Sequence, residues 1–155
     1  MAHVQDVAAY ILCKQGGMTA MKLQKLCYYA YGYHLAWEER PLFPERFEAW
    51  ANGPVCPALY AMHRGQFQLK PGDVEGNPKA LDAGETESLD LVLATYGKFT
   101  AHQLSRMTHV ESPWVRARKR AKAGRLERST EPLDDDEIFE FFDALTSADS
   151  DGQQG

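Results

Sequence analysis

Cysteine is scarce in this sequence, and the usual signals of metal or phosphate chemistry are missing. The three cysteines, Cys13, Cys27 and Cys56, lie far apart and form no Cys-x-x-Cys pair. An odd number at such spacings disfavours a disulfide framework or a zinc site and favours buried thiols in a reducing compartment. The chain also has no Gly-rich phosphate loop, no His-Glu-x-x-His and no Gly-x-Ser-x-Gly motif. We therefore expect a protein that is not an enzyme and that holds no metal or cofactor.

Long apolar runs are absent too, since none approaches the ~20 residues that a membrane-spanning helix needs. Residues 1–15 contain Asp6 and Lys14 and lack the basic start and cleavage site of a secretory signal. The sequence is nevertheless 44% hydrophobic, which is too apolar for wholesale disorder, and its 155 residues fit one domain. These features predict a soluble, cytoplasmic protein with no membrane partner.

Apolar residues at helical spacing predict helices along most of the chain. The first covers residues 3–14. A second helix, capped by Thr19, is apolar on most of its circumference, so we expect it to lie at the centre of the fold. Within it, Gly32 indicates that another backbone or a bulky ring packs closely, while Lys22 and Lys25 are expected to form a polar edge.

A short strand-like segment follows the second helix at residues 47–52. The turn Asn52-Gly53-Pro54 closes it. Because Gly53 can adopt backbone angles closed to other residues and Pro54 restricts the residue before it, we expect a rigid, defined turn. Residues 67–69, within a connection rich in glycine and proline, are candidates for pairing with this strand.

Shorter helices are predicted in the second half of the chain. Thr100 is placed to cap one of them, and Ser112 to cap another with Pro113 at its first position. A last helix begins near residue 135, and the polar residues 146–155 are predicted to form a disordered tail after a domain spanning residues 1–145. The expected fold is mainly α: a compact single-domain bundle of about six or seven helices with a small β-hairpin-like element.

Basic charge is concentrated in one segment, although the whole chain carries a net charge of −5. Residues 116–128 contain seven basic residues and one acidic residue, and an acid-rich segment follows from Glu131. The candidates for an electrostatic patch are Arg116, Arg118, Lys119, Arg120 and Lys122. Such a patch could bind nucleic acid or an acidic protein surface. Because the protein is acidic overall, we favour the alternative that the following carboxylates neutralise the patch within the fold.

The histidines raise the question of metal binding or acid–base catalysis. His34, His63, His102 and His109 lie on four separate segments, and none has a second ligand three or four residues away. A metal or catalytic site requires several such groups to converge, so ordinary polar roles are favoured. A hydrolase or transferase built on these histidines is the third and least favoured hypothesis.

Four blocks of sequence, in the same order, resemble one known family. They are residues 21–34 (MKLQKLCYYAYGYH); Arg40-Pro41-Leu42-Phe43 with Glu48-Ala49-Trp50 and Asn52-Gly53-Pro54-Val55; Tyr96-Gly97 with Leu104-Ser105; and residues 108–114 (THVESPW). Together they resemble the Panacea (SocA-like) antitoxin domain family. Each block alone is weak, whereas four in register are specific.

The resemblance implies a helical domain, encoded beside a toxin, that neutralises this toxin by direct binding and that in some members delivers it to a ClpXP-type protease. We expect aromatic side chains at the interface, because rings bury a large area at little entropic cost. The predicted partner-binding residues are Tyr31, Trp37, Trp50, Asn52, Gly53, Pro54 and Tyr60. Periodicity alone slightly favours a core position for Trp50.

The alternative function is a nucleic-acid-binding regulator that uses the basic helix 114–128. Its affinity would fall steeply with salt as counterions are displaced. The acidic composition disfavours nucleic acid, and the expected partner is the cognate protein toxin.

Overall fold

The structure is a computed structural model that describes residues 1–154, with side chains for residues 1–148. Its helices are α1 (Val4–Gln15), α2 (Ala20–Glu38), α3 (Pro57–His63), α4 (Ala83–Tyr96), α5 (Ala101–Thr108), α6 (Ser112–Arg120) and α7 (Asp135–Gln154). Its strands are β1 (Met18–Thr19), β2 (Glu48–Trp50), β3 (Gly53–Val55) and β4 (Gln68–Leu69). The predicted fold class, a mainly α bundle with a small β element, is confirmed.

Helix α2 forms the centre of the bundle and contacts α1, α4, α5 and α7. Every residue from Leu23 to Leu35 is buried, as expected for a helix that is apolar on nearly all sides. A Cβ at Gly32 would collide with the ring of Phe142 on α7. The prediction that a ring packs closely against Gly32 is therefore confirmed.

Aromatic rings tie α2 to its neighbours. Tyr29 stacks on Tyr96 of α4 with ring centroids 4.5 Å apart, and Tyr33 meets Phe142 of α7 edge-on at 4.9 Å. Such pairs add about 0.5–1.5 kcal/mol beyond the burial of their area. The aromatic side chains of α2 therefore pack mainly in the core.

The helix caps agree with the sequence in two of three cases. Thr19 accepts a hydrogen bond from the backbone of Lys22, and Thr100 accepts one from Gln103, as predicted. Ser112 is not the cap of α6. It is the first helical residue, and the extended Glu111 precedes it as N-cap, so the boundary lies one residue earlier than predicted.

The strands form two small antiparallel sheets. β2 and β3 form a hairpin around the predicted Asn52-Gly53-Pro54 turn, with Trp50 opposite Gly53. The predicted pairing of residues 67–69 with this strand is wrong, because β4 pairs with β1 instead. The outer edge of β2 is already occupied: Ala49 N donates to Glu131 O at 2.8 Å.

Helix α7 runs on to Gln154, through most of the segment predicted as a tail, while residue 155 lies outside the described residues. The division of the chain at residue 145 stays a prediction. In the described part of the chain, no helix combines the length and apolar character needed to cross a membrane.

Candidate functional site

The hairpin turn, residues 52–54, lies directly on α2 and α5. Gly53 has φ +118°, a region that residues with a side chain rarely adopt. A Cβ at this position would lie 2.7 Å from both Lys25 Cε and Thr108 Oγ1. Two features therefore require glycine at this position: the backbone angle and the close approach of the Lys25 and Thr108 side chains.

Lys25 supports the hairpin turn from below. Its side chain is fully buried, and its Nζ donates to Pro54 O at 3.0 Å. Burial lowers the pKa of Lys25 from 10.5 to about 7. The prediction that Lys25 forms a polar edge of α2 is wrong, because the hairpin covers this face of the helix.

Three further hydrogen bonds fix the hairpin backbone from the other side. Ser105 Oγ donates to Asn52 O at 2.6 Å, and Trp114 Nε1 donates to Trp50 O at 2.8 Å. Arg118 donates to Ala49 O at 3.0 Å. These donors come from α5 and α6, so the hairpin is bonded to helices on two sides. Buried carbonyls that are all partnered in this way hold a turn in one conformation.

The end of the hairpin is bonded to α2 as well. Cys56 N donates to Gln24 Oε1 at 2.9 Å, and Gln24 Nε2 lies 3.3 Å from Cys56 O. The same amide nitrogen lies 3.0 Å from His63 Nε2 on α3. One buried amide therefore joins α2, the hairpin and α3.

An aromatic pair stands beside the hairpin turn. Trp50 and Tyr60 meet edge-on with ring centroids 5.0 Å apart, and Trp50 Nε1 donates to Glu48 Oε1 at 3.0 Å. Tyr60 is 36% exposed and Trp50 is half-buried, and the neighbouring Met62 is 41% exposed. Asn52 is exposed between the strands. Of the predicted partner-binding residues, Trp50, Asn52 and Tyr60 thus lie together at an accessible surface.

Tyr31 and Trp37 lie elsewhere. Tyr31 is buried, its ring packs on Phe43 at 5.0 Å, and its hydroxyl donates to Asp135 at 2.8 Å. Trp37 is 40% exposed near the end of α2, twelve residues beyond Lys25 or roughly 18 Å along the helix. Gly53 and Pro54 are buried and shape the turn from within.

The basic segment is divided by the fold. Arg120 lies 2.7 Å from Glu137 and 3.5 Å from Glu131, and Arg116 lies 3.6 Å from Glu137. The preferred interpretation, that the following acidic segment neutralises part of the patch, is supported by these pairs. Arg118 is only 5% exposed and donates to Ala49 O of the hairpin and to Glu127 O of the loop after α6, so it does not contribute to a surface patch. Lys119 and Lys122 are exposed.

The histidines do not converge. His34 is buried with its Nδ1 2.8 Å from Ser88 Oγ, His63 contacts Gln24, and His102 is exposed. His109 stacks on Trp114 at 4.4 Å. Burial lowers the pKa of His34, His63 and His109.

Sequence reasoning missed two polar groups inside the fold. Lys25 positions the hairpin, and Glu111 accepts from Tyr29 of α2 at 2.9 Å, with burial raising its pKa to about 7. One signal was present for Lys25: a helix that is apolar on most sides and lies at the centre leaves little room for a polar edge. No comparable signal marks Glu111.

The helical domain that carries the hairpin matches a known protein family. The family described as antitoxin SocA-like, Panacea domain, matches residues 23–115. The chain belongs to this family. The matched Panacea region contains Lys25, the hairpin, Ser105 and Trp114, and it ends before Arg118. Family membership supports an antitoxin role and suggests a regulatory protein rather than an enzyme.

A curated relative agrees with this Panacea assignment. Antitoxin SocA of Caulobacter vibrioides (strain NA1000 / CB15N) is 33% identical over 107 residues, which covers 61% of this chain and 56% of that protein. The chain therefore spans little more than half the length of this relative. No solved structure matches the chain.

Proposed function

We propose that this chain neutralises a protein toxin, encoded by an adjacent gene, by binding it directly through the surface formed by Trp50, Asn52 and Tyr60. The observation that carries the proposal is the hairpin turn, whose backbone is fixed by α2, α5 and α6 while its aromatic neighbours stay accessible. A preorganised aromatic surface loses little entropy when a partner binds, and this favours a tight complex.

The burial of polar groups under the turn supports the same proposal. A fully buried lysine is costly for a domain of this size, and a fold that needed only stability could replace it with an apolar residue. In this fold the buried lysine holds the hairpin backbone in one conformation, next to the exposed Asn52. We therefore assign Lys25, Ser105 and Trp114 a positioning role and the exposed residues the contact role.

The nucleic-acid alternative receives less support. Arg116 and Arg120 are engaged by carboxylates, and Arg118 is buried. Four of the seven cations of the segment are then left for phosphates, and affinity for nucleic acid falls as fewer phosphates are neutralised.

Co-expression tests the proposal directly. The adjacent gene is induced in a bacterial host with and without this chain, and both growth and toxin abundance are measured. Rescue at unchanged toxin abundance is expected if binding alone blocks the toxin, whereas rescue with toxin loss that requires ClpXP would indicate an adaptor role. An adjacent product that is harmless alone, or a complex that never forms in pull-down, contradicts the proposal.

Variants locate the surface. Replacing Trp50 or Tyr60 with alanine should weaken the complex by about 2 kcal/mol, roughly thirtyfold in Kd, as for aromatic anchors at other interfaces. Phe67→Ala is the matched control, because Phe67 is 86% exposed and lies on β1's partner segment rather than at the hairpin turn. Trp37→Ala tests whether the interface reaches the far end of α2. Thermal denaturation of each variant separates lost contact from lost fold.

A further inference from the structure

An open cleft of about 730 Å³ lies between the hairpin and the loop that follows α6. Ala51 and Asn52 line one side of it. Its apolar lining comes from Trp114, Val115 and Leu126, and Leu126 is 81% exposed. An apolar side chain that is so exposed beside a cleft is available to a partner.

Besides the buried Arg118, three cations line the same cleft: Lys119, Lys122 and Arg125. All three are exposed, and within residues 1–148 none of them has a carboxylate oxygen within 4 Å. Arg116 and Arg120 differ, because they pair with carboxylates near or on α7. The unneutralised cations of the basic segment that face the cleft are therefore Lys119, Lys122 and Arg125, whereas Arg128 lies outside the cleft lining.

Lys122 occupies an unusual backbone position. Its φ is +53°, and Ala123 N donates to Arg118 O at 3.0 Å across it, which is how helices commonly end with glycine. A lysine is disfavoured in this left-handed conformation relative to glycine. This backbone strain lies at the cleft, where lysine occupies a position whose left-handed conformation favours glycine.

We infer that this cleft binds an acidic segment of the partner toxin that also presents an apolar side chain. The identity of the partner rests on the proposed function, whereas the chemistry rests on the cleft. Lys119, Lys122 and Arg125 attract carboxylates, and Leu126 receives the apolar group beside Val115. Charge complementarity of this kind sets specificity and association rate.

Nucleic acid fits the cleft less well than an acidic polypeptide. Three exposed cations around an apolar lining neutralise few phosphates, and a phosphate backbone leaves the apolar lining unused. The three cations also lie beyond residue 115, where the family match ends. The cleft therefore joins residues inside the family match to cations beyond it.

The probe is a short fluorescein-labelled peptide that alternates glutamate and leucine, with an oligothymidylate of the same charge as the comparison. Fluorescence anisotropy should show that the peptide binds more tightly than the oligonucleotide. The triple variant Lys119→Glu, Lys122→Glu, Arg125→Glu should weaken peptide binding by about tenfold or more. Absence of peptide binding, or tighter binding of the oligonucleotide, overturns the inference.

Two controls keep the test specific. The triple variant Arg64→Glu, Lys79→Glu, Lys98→Glu changes the net charge equally at exposed positions outside the cleft and should bind like the wild type. An equal loss of peptide affinity in both triple variants would show that net charge alone controls binding, and it would overturn the inference. Lys122→Gly removes one cation while suiting the backbone, so it should fold at least as well and still bind the peptide less tightly.

The toxin separates this inference from the proposed function. If the wild-type chain fails to bind the toxin, the proposed function fails and the partner named here fails with it, whatever the peptide does. If the wild type and the cleft triple variant neutralise the toxin equally, the proposed function stands and the inference is overturned. Competition of the peptide with the toxin for the wild-type chain, lost in the triple variant, is the expected result.

Discussion

The hairpin turn and the basic segment are both candidates for recognition in the sequence, and the fold treats them in opposite ways. Around the turn, buried polar groups from three helices fix the backbone, and aromatic side chains stay accessible beside it. In the basic segment, the fold pairs two arginines with carboxylates, buries a third and leaves three of the remaining cations at a cleft. The comparison teaches that a local run of charge does not give one uniform surface patch, whereas a Gly-Pro turn does indicate a fixed backbone.

The largest expected effect is that of Gly53→Ala. A Cβ at φ +118° adds backbone strain and meets Lys25 and Thr108, so we expect a loss of roughly 3–5 kcal/mol in the free energy of unfolding. Urea denaturation measures it. Gly65→Ala is the control: its φ is +87° but nothing lies within 4 Å of the added Cβ, and it should cost roughly 1–2 kcal/mol. Equal losses at both positions would show that the turn is not closely packed.

A smaller effect is expected from the pH dependence that Lys25 causes. Its folded pKa of about 7 lies below the ordinary 10.5, so between these values the unfolded chain binds more protons. Stability should therefore rise above pH 7 by up to about 1.4 kcal/mol per pH unit, and be lost as the pH falls back toward 7. Lys25→Met should lack this rise.

Urea denaturation of the wild type and Lys25→Met between about pH 7 and 9 checks this expectation. The difference between the two proteins is the useful quantity, because buried thiols and phenols titrate in both. Parallel pH profiles would show that Lys25 is charged at little cost and that the turn does not enclose it.

The smallest effect concerns the basic segment. Arg120→Gln removes the contacts with Glu131 and Glu137 and should cost about 0.5–1 kcal/mol at low salt and less at high salt. Lys119→Gln, on the cleft side, should change stability by less than about 0.5 kcal/mol. Equal effects on thermal stability would contradict the division of the segment into a paired and an unpaired part.

The sequence predicted the secondary-structure elements more reliably than the contacts between them. The central position of α2, the ring against Gly32, the caps at Thr19 and Thr100 and the Asn52-Gly53-Pro54 turn all follow from local rules of periodicity, capping and turn chemistry. The pairing of residues 67–69 could not be found this way, because the edge of β2 is taken by residues far along the chain. The burial of Lys25 and Arg118 is likewise set by distant segments.

The candidate site shows the same limit. The aromatic and turn residues were identified from their types, but only three of the predicted partner-binding residues share an accessible surface. Tyr31 and Trp50 look alike in sequence, as apolar rings in periodic segments. One is enclosed by Phe43 and by Asp135 of α7, and the other meets Tyr60 at the surface.

What the sequence determined by itself is the set of local structures, because helix periodicity, caps and the Asn52-Gly53-Pro54 turn depend on neighbours a few residues apart. The family could also be identified from the sequence, because its motifs are runs of particular residue types in a fixed order. Only the tertiary structure decided which polar groups are buried and which cations remain free. Burial and ion pairing depend on segments brought together across the whole chain, and the Arg118 side chain that reaches Ala49 is the clearest case.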